Sequence, residues 1–118
     1  MGLNRKQFAF SVFISRFILD LNKMGYTVAL GEAYRPKETA KIYASQGKGI
    51  ANSTHEMRLA LDIMLFKNDV YLTKTEDYEQ AGLFWEAQST DEYKCVWGGR
   101  FQSRPDGNHF SFYHNGVS

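Results

Sequence analysis

The sequence contains a single cysteine, Cys95, and only three histidines in 118 residues. One cysteine excludes an intramolecular disulfide framework and a zinc finger built from several cysteines. Any metal ion must therefore be held mostly by histidine and carboxylate side chains. The chain also lacks an excess of one charge, since 14 basic residues against 13 acidic ones give a net charge of +1. This balance argues against a protein that coats DNA, because such proteins carry a strong basic excess.

Long apolar runs and targeting segments are missing as well. No stretch approaches the ~18 apolar residues of a membrane span. Arg16, Asp20 and Lys23 interrupt the apolar N-terminal segment, and no small-residue cleavage site follows it. We therefore expect synthesis in a cytoplasm without a signal peptide, and no membrane insertion. The apolar content of 43%, with 15% aromatic residues, excludes a disordered chain and predicts one packed domain over residues 1–118.

Hydrophobic periodicity predicts an α+β domain. Apolar residues at helical spacing, including Phe10, Phe17 and Leu21, favour a long amphipathic first helix, whereas alternation around Asp62 favours a half-buried strand. Helices are predicted at 4–24, 36–47 and 73–89, and strands at 26–30, 59–66, 70–72, 93–97 and 108–114. Two capping boxes are expected at helix starts, Asn4 with Gln7 and Thr73 with Glu76. A glycine-bearing loop is expected at 47–53.

A small set of polar residues suggests chemistry. His55 ends the glycine-bearing loop, Asp62 is the only charge inside an apolar strand, and His109 begins the last strand, three residues after Asp106. Two histidines and one carboxylate suit Zn²⁺ and leave a fourth position for water. A nearby carboxylate that is not a ligand, such as Asp106, can take a proton from that water and pass it to a leaving amine.

Each of these residues also has an ordinary interpretation. A histidine at a strand end is commonly a hydrogen-bonded structural residue, and Asp62 could pair with an arginine. Asp106 lies between Pro105 and Gly107 and could be a simple turn residue. The spacing alone therefore indicates a zinc site without establishing one.

Four segments carry a family resemblance. Residues 53–62 match the pattern S-x-H-x(4)-A-x-D, and Asp106-x-x-His109 matches a second signature. In these signatures the chain resembles the VanY-type D-alanyl-D-alanine carboxypeptidases, zinc peptidases that cut bacterial cell-wall peptides. Those members usually have Glu in place of Asp106. Aspartate there, and residues 97–101, resemble the phage L-alanyl-D-glutamate endopeptidase branch, the endolysins, whereas residues 31–36 resemble the segment with the family's substrate-side arginine.

The resemblance implies roles for individual residues. It implies that one zinc ion is bound by His55, Asp62 and His109. Asp106 would act as general base and acid, and Arg35 would bind the substrate carboxylate or stabilise an oxyanion. Ser53 would line the substrate side. The implied fold is a small α+β domain with helices packed on one antiparallel sheet, and regulation by Ca²⁺ stays open because some phage relatives have it.

The sequence thus predicts a metal-dependent peptidase acting on peptidoglycan stem peptides. The first choice is a phage endolysin that cleaves L-alanyl-D-glutamate, and the alternative within the class is a D-alanyl-D-alanine carboxypeptidase. We expect a monomer that does not bind nucleic acid and that reaches the cell wall or periplasm after release from the host. Two other classes stay open. A metal nuclease using His55 or His109 with Asp62 lacks a basic stripe, and a non-catalytic binding or virion-structural domain has no need of Asp106.

Overall fold

A long amphipathic helix begins the fold in the computed structural model, which describes residues 2–48 and 52–118. This helix, α1 (Leu3–Lys23), buries one apolar stripe made of Phe10, Ile14, Phe17 and Leu21. The predicted capping box of Asn4 and Gln7 is wrong, because Gly2 is the capping residue and Asn4 already lies within the helix. The Gln7 amide instead donates to the main-chain oxygen of Met57 at 2.8 Å.

Five strands form the sheet onto which the helices pack. They are β1 (Thr27–Leu30), β2 (Ala60–Lys67), β3 (Val70–Tyr71), β4 (Cys95–Trp97) and β5 (His109–Phe112). The order is β1-β2-β5-β4, β3 pairs with β2 beside this path, and every pairing is antiparallel. The apolar alternation in β2 produces this arrangement, since Leu61, Ile63 and Leu65 are buried on the core face.

The remaining helices are shorter than the sequence pattern predicts. Helix α2 (Lys37–Ser45) follows Pro36, and α3 (Glu79–Ala87) follows a 3₁₀ helix at Thr75–Tyr78. The predicted continuous helix over 73–89 is therefore two elements. The expected cap of Thr73 and Glu76 is also wrong by one residue, because the Lys74 N–H donates to the Asp77 carboxylate at 3.2 Å.

Aromatic side chains join the helices to the sheet. Phe10 and Phe17 of α1 contact Trp85 of α3, and Phe110 and Phe112 of β5 complete the cluster. The indole N–H of Trp85 donates to main-chain oxygens of β4 and β5 at 3.1 Å each, so this buried polar group is satisfied. The predicted fold class, α+β with helices packed on one antiparallel sheet, is confirmed.

Two further sequence predictions concern membrane-spanning helices and the glycine-bearing loop. Across residues 2–48 and 52–118, no helix combines the length and apolar content that crossing a bilayer requires. Residues 49–51 of the predicted loop at 47–53 lie outside the described residues.

Candidate functional site

The pairing of β2 with β5 places two of the candidate metal ligands opposite each other. Asp62 and His109 are Cα partners in this antiparallel pair, and Leu61 is the partner of Phe110. Because side chains alternate along strands, Leu61 and Phe110 point into the core while Asp62 and His109 share the other face. The same hydrophobic pattern that buries the core therefore assembles this pair.

A 3₁₀ helix at Thr54–Met57 brings the third residue, His55, to the same point. Ser53 caps this helix, because its hydroxyl oxygen accepts from the His55 N–H at 3.1 Å. The Glu56 carboxylate accepts from the Ser53 N–H at 2.7 Å, which completes a capping box. Arg58 ends the helix in the left-handed region with φ 56°. Local hydrogen bonds of the protein thus hold the backbone around His55 without a contribution from a metal ion.

The side chains of His55, Asp62 and His109 converge on one small volume. The Oδ1 atom of Asp62 lies 3.2 Å from His55 Nε2 and 3.7 Å from His109 Nδ1, and one ligand atom from each residue lies within 4.8 Å of the others. Both imidazoles are almost completely buried. Asp62 Oδ1 is also buried, yet it has no hydrogen-bond partner among the described residues.

An unpartnered buried carboxylate oxygen facing two imidazole nitrogens fits a bound cation. Burying a carboxylate without compensation is costly, and the two nitrogens and one oxygen are ligands that divalent transition metals accept. The chain's own residues therefore fit a metal ion at this point, with three protein ligands.

The charges at the site change the protonation of its members. Burial alone would raise the pKa of Asp62, but the two imidazoles outweigh burial and lower that pKa to about 2. Burial alone would lower the pKa of His55, but the Asp62 carboxylate outweighs burial and raises it. Asp62 is consequently an anion at all physiological pH values, as a metal ligand must be.

Asp106 lies in the turn that leads into β5. Its N–H donates to the Gly98 oxygen at 2.9 Å, and the His109 N–H donates to the Asp106 oxygen at 3.2 Å. A Cβ on Gly98 would lie 2.4 Å from that Asp106 oxygen, so this close packing requires glycine. Partial desolvation and the negative charge of Asp62 raise the pKa of Asp106, although nearby positive groups act against them. A carboxyl with a raised pKa beside a metal site can serve as a proton-transfer group.

Arg35 reaches the site from the segment between β1 and α2. Its N–H donates to the His55 oxygen at 3.1 Å, and its guanidinium forms a two-point ion pair with Glu32 Oε1, with 2.9 Å from Nε. This hydrogen bond with Glu32 is the main cause that raises the pKa of Arg35. Glu32 therefore orients Arg35, and the sequence pattern alone did not identify this pairing.

The structure also shows where the site residues predicted from the sequence lie. Asp62 and the two histidines form the cluster described above. The charges of these three residues and of Arg35 act on the Asp106 carboxyl. Ser53 is 5% exposed and its hydroxyl is used in capping, so its predicted contact with substrate stays a prediction.

Three contacts behind His109 had no sequence signal. The main-chain oxygen of Ser118 accepts hydrogen bonds from the Thr54 and Ser111 hydroxyls and lies 2.9 Å from His109 Nε2. A main-chain oxygen is present in every residue, so no motif could mark this one.

A polar pocket of about 210 Å³ opens beside Asp106, with Tyr71 and Thr75 among its lining residues.

Comparison with known proteins finds similarity to a protein-family model and to solved structures. A protein-family model described as D-alanyl-D-alanine carboxypeptidase matches residues 45–112, which is more than half of the chain. The chain is also similar to the crystal structure of the Serratia marcescens L-Ala D-Glu endopeptidase ChiX, with a TM-score of 0.63 and 19% sequence identity, over 74% of this chain and 67% of that one. At this identity the similarity establishes the fold. No match was found among curated protein sequences.

Proposed function

Because the chain belongs to the D-alanyl-D-alanine carboxypeptidase family of peptidases, we propose that it is a zinc-dependent peptidase that hydrolyses peptide bonds in peptidoglycan stem peptides. The observation that carries the proposal is the convergence of His55, Asp62 and His109 around the unpartnered Asp62 Oδ1. Two imidazole nitrogens and one carboxylate oxygen are a common catalytic zinc set with an open position.

The proposed chemistry needs one metal and two residues around it. A bound zinc ion supplies a Lewis acid that polarises the scissile carbonyl and lowers the pKa of water. Asp106 takes the proton of the attacking water and then gives a proton to the leaving amine, which suits a carboxyl whose pKa is raised. Arg35, oriented by Glu32, binds the substrate carboxylate or stabilises the developing oxyanion.

The proposed scissile bond is L-alanyl-D-glutamate. Two observations support it, the fold shared with an L-Ala D-Glu endopeptidase and aspartate rather than glutamate at position 106. A D-alanyl-D-alanine carboxypeptidase is the second candidate, because the matching family model carries that description. Family membership supports a peptidase over a metal nuclease, and the digestion experiment below separates an enzyme from a non-catalytic domain.

Several parts of the proposal rest on the sequence alone. Phage origin, action on the wall or periplasm after release from the host cytoplasm, and the monomeric state stay predictions. Additional Ca²⁺ regulation, which the family resemblance left open, is tested by adding Ca²⁺ to zinc-loaded protein and measuring its activity.

The decisive experiment is mass spectrometry of peptidoglycan digested by the purified, zinc-loaded protein. New N-terminal D-glutamate supports the endopeptidase, and released D-alanine supports the carboxypeptidase. A chelator should abolish either product and zinc should restore it. Intact stem peptides after digestion with zinc-loaded, folded protein would contradict the proposed function.

A further inference from the structure

Residues 114–118 turn back toward the metal centre. His114 and Val117 exchange two hydrogen bonds of 2.9 Å, from each N–H to the other's oxygen. Between them Asn115 and Gly116 have φ of 47° and 84°, the left-handed conformations that a two-residue hairpin turn requires. This turn directs the chain back over β5 and ends with Ser118 behind His109.

Three side chains converge on the main-chain oxygen of Ser118. The hydroxyls of Thr54 and Ser111 donate to it at 2.9 and 2.8 Å, and His109 Nε2 lies 2.9 Å away. Thr54 and Ser111 are both completely buried. The oxygen is therefore held by a polar cluster, with two hydroxyls fixing its place and the imidazole as third partner.

This contact selects one tautomer of His109. An unprotonated main-chain oxygen, in a carbonyl or a carboxylate, only accepts hydrogen bonds, so a neutral His109 must carry its proton on Nε2. The lone pair of Nδ1 then points to the side of Asp62 Oδ1, 3.7 Å away. His55 is arranged in the opposite sense, because its Nδ1 lies 2.8 Å from the Ala33 oxygen and its Nε2 faces Asp62. Each imidazole is thus held from behind by a main-chain oxygen.

We propose that the Ser118 main-chain oxygen, fixed by Thr54 and Ser111, is a positioning group that makes His109 an Nδ1 metal ligand. This inference rests on the proposed zinc site and adds to it a partner that no motif identifies. Groups that hydrogen-bond the far nitrogen of a ligating histidine fix its tautomer and ring orientation, and their loss commonly weakens metal binding 10–100-fold.

A pair of variants tests the oxygen separately from the side chain. A variant that ends at Val117 removes the oxygen, whereas Ser118→Ala keeps it. Zinc affinity is measured by competition with a chromophoric chelator at pH 8. We expect the shortened variant to bind zinc about 10–100-fold more weakly and Ser118→Ala to bind it like the unaltered protein. Equal affinities for all three proteins would overturn the proposal.

Nitrogen-15 NMR of the imidazoles in metal-free protein provides a second readout. At pH 8 the Nε2 atom of His109 should carry the proton in the unaltered protein, and the shortened variant should show a mixture of tautomers. A proton on Nδ1, or a tautomer unaffected by the deletion, would contradict the role of Ser118. An unaltered protein that binds no zinc would instead refute the proposed function, whereas the tautomer still decides the positioning role.

A further variant keeps the inference testable if the shortened chain fails to fold. Ser111→Ala removes one hydroxyl that holds the oxygen and leaves all three candidate metal ligands in place. We expect a smaller loss of zinc affinity in the same direction, with a partial tautomer shift of His109. If neither measurement changes in Ser111→Ala, the oxygen is not held for this purpose and the proposal fails.

Discussion

Asp106→Asn removes the proposed proton-transfer group while keeping the size of its side chain. The turn around this residue is fixed by main-chain atoms, through hydrogen bonds of 2.9 Å to Gly98 and 3.2 Å from His109. Asparagine leaves both bonds in place. The three candidate metal ligands are also unchanged, so the substitution isolates the chemical role of one carboxyl.

The expected loss is large and confined to the chemical step. A positioned general acid–base contributes ~10²–10⁴-fold to rate, or about 3–5 kcal/mol of activation free energy at 1.36 kcal/mol per tenfold. We therefore expect kcat to fall by that factor, with KM and zinc affinity nearly unchanged.

The raised pKa of Asp106 also predicts the pH profile of the unaltered enzyme. A base must be deprotonated to act, so kcat/KM should fall as pH is lowered through the pKa of Asp106. Partial desolvation and Asp62 hold that pKa above the ordinary 3.8, and the acidic limb should therefore lie above pH 3.8. Asp106→Asn should remove this limb from whatever residual activity is left.

A measurement of thermal stability distinguishes loss of the chemical step from loss of the folded structure in Asp106→Asn. A carboxyl with a raised pKa in the folded state contributes stability below its unfolded pKa, and this contribution is lost as pH rises through the folded pKa. Above its folded pKa the charged Asp106 therefore opposes folding of the metal-free protein. Asp106→Asn should consequently unfold at the same or a higher temperature.

The assay is release of new amino termini from purified peptidoglycan under steady-state conditions, with zinc content measured in the same samples. Asp91→Asn is the matched control, because Asp91 is exposed and outside the site. A kcat of Asp106→Asn within tenfold of the control, at equal zinc content, would refute the general-base assignment. It would also favour a different proton acceptor at the site.

Three further predictions follow from the contacts. Glu32→Gln replaces the charged partner of Arg35 with a neutral one. Because charge-assisted hydrogen bonds are stronger than neutral ones, kcat/KM should fall about fivefold, or ~1 kcal/mol. An unchanged kcat/KM would contradict the orienting role of Glu32. Gly82→Ala places a Cβ 2.1 Å from the Trp97 ring and should lower the free energy of unfolding by about 1–3 kcal/mol in denaturant titrations, whereas Gly2→Ala, with open space around it, should not. Zinc at a hundredfold excess over its Kd should stabilise the fold by about 2.7 kcal/mol, and a thermal midpoint unaffected by zinc would argue against the metal centre.

The fold could be predicted where burial alone decides it. The stripe of Phe10, Phe17 and Leu21 marks α1, and the alternation of Leu61 and Ile63 marks β2, because these patterns follow directly from which face is buried. Helix starts were predicted less well. Asn4 and Gln7 have capping-box spacing, yet the helix begins before Asn4, since packing of the apolar stripe outweighs a single local cap.

The candidate site could likewise be predicted only in part, because its side chains have a sequence signal and the groups that hold them do not. His55, Asp62 and His109 could be singled out because their side chains have metal-binding chemistry, and the structure brings them together. The groups that hold them could not, because main-chain oxygens of Ala33 and Ser118 have no sequence signature. Long-range contacts of this kind depend on the completed fold, so they do not follow from any local sequence pattern.

The register between β2 and β5 makes the core and the candidate metal centre one structural feature. Burial of Leu61 and Ile63 on the core face forces Asp62 onto the opposite face, directly across from His109. A slip of one residue would turn Asp62 toward the aromatic core and end its pairing with His109, because side chains alternate along a strand. Register is therefore set by apolar residues that never contact the metal or the substrate. It follows that a core-face substitution in β2 that shifts this pairing should weaken metal binding as well as stability.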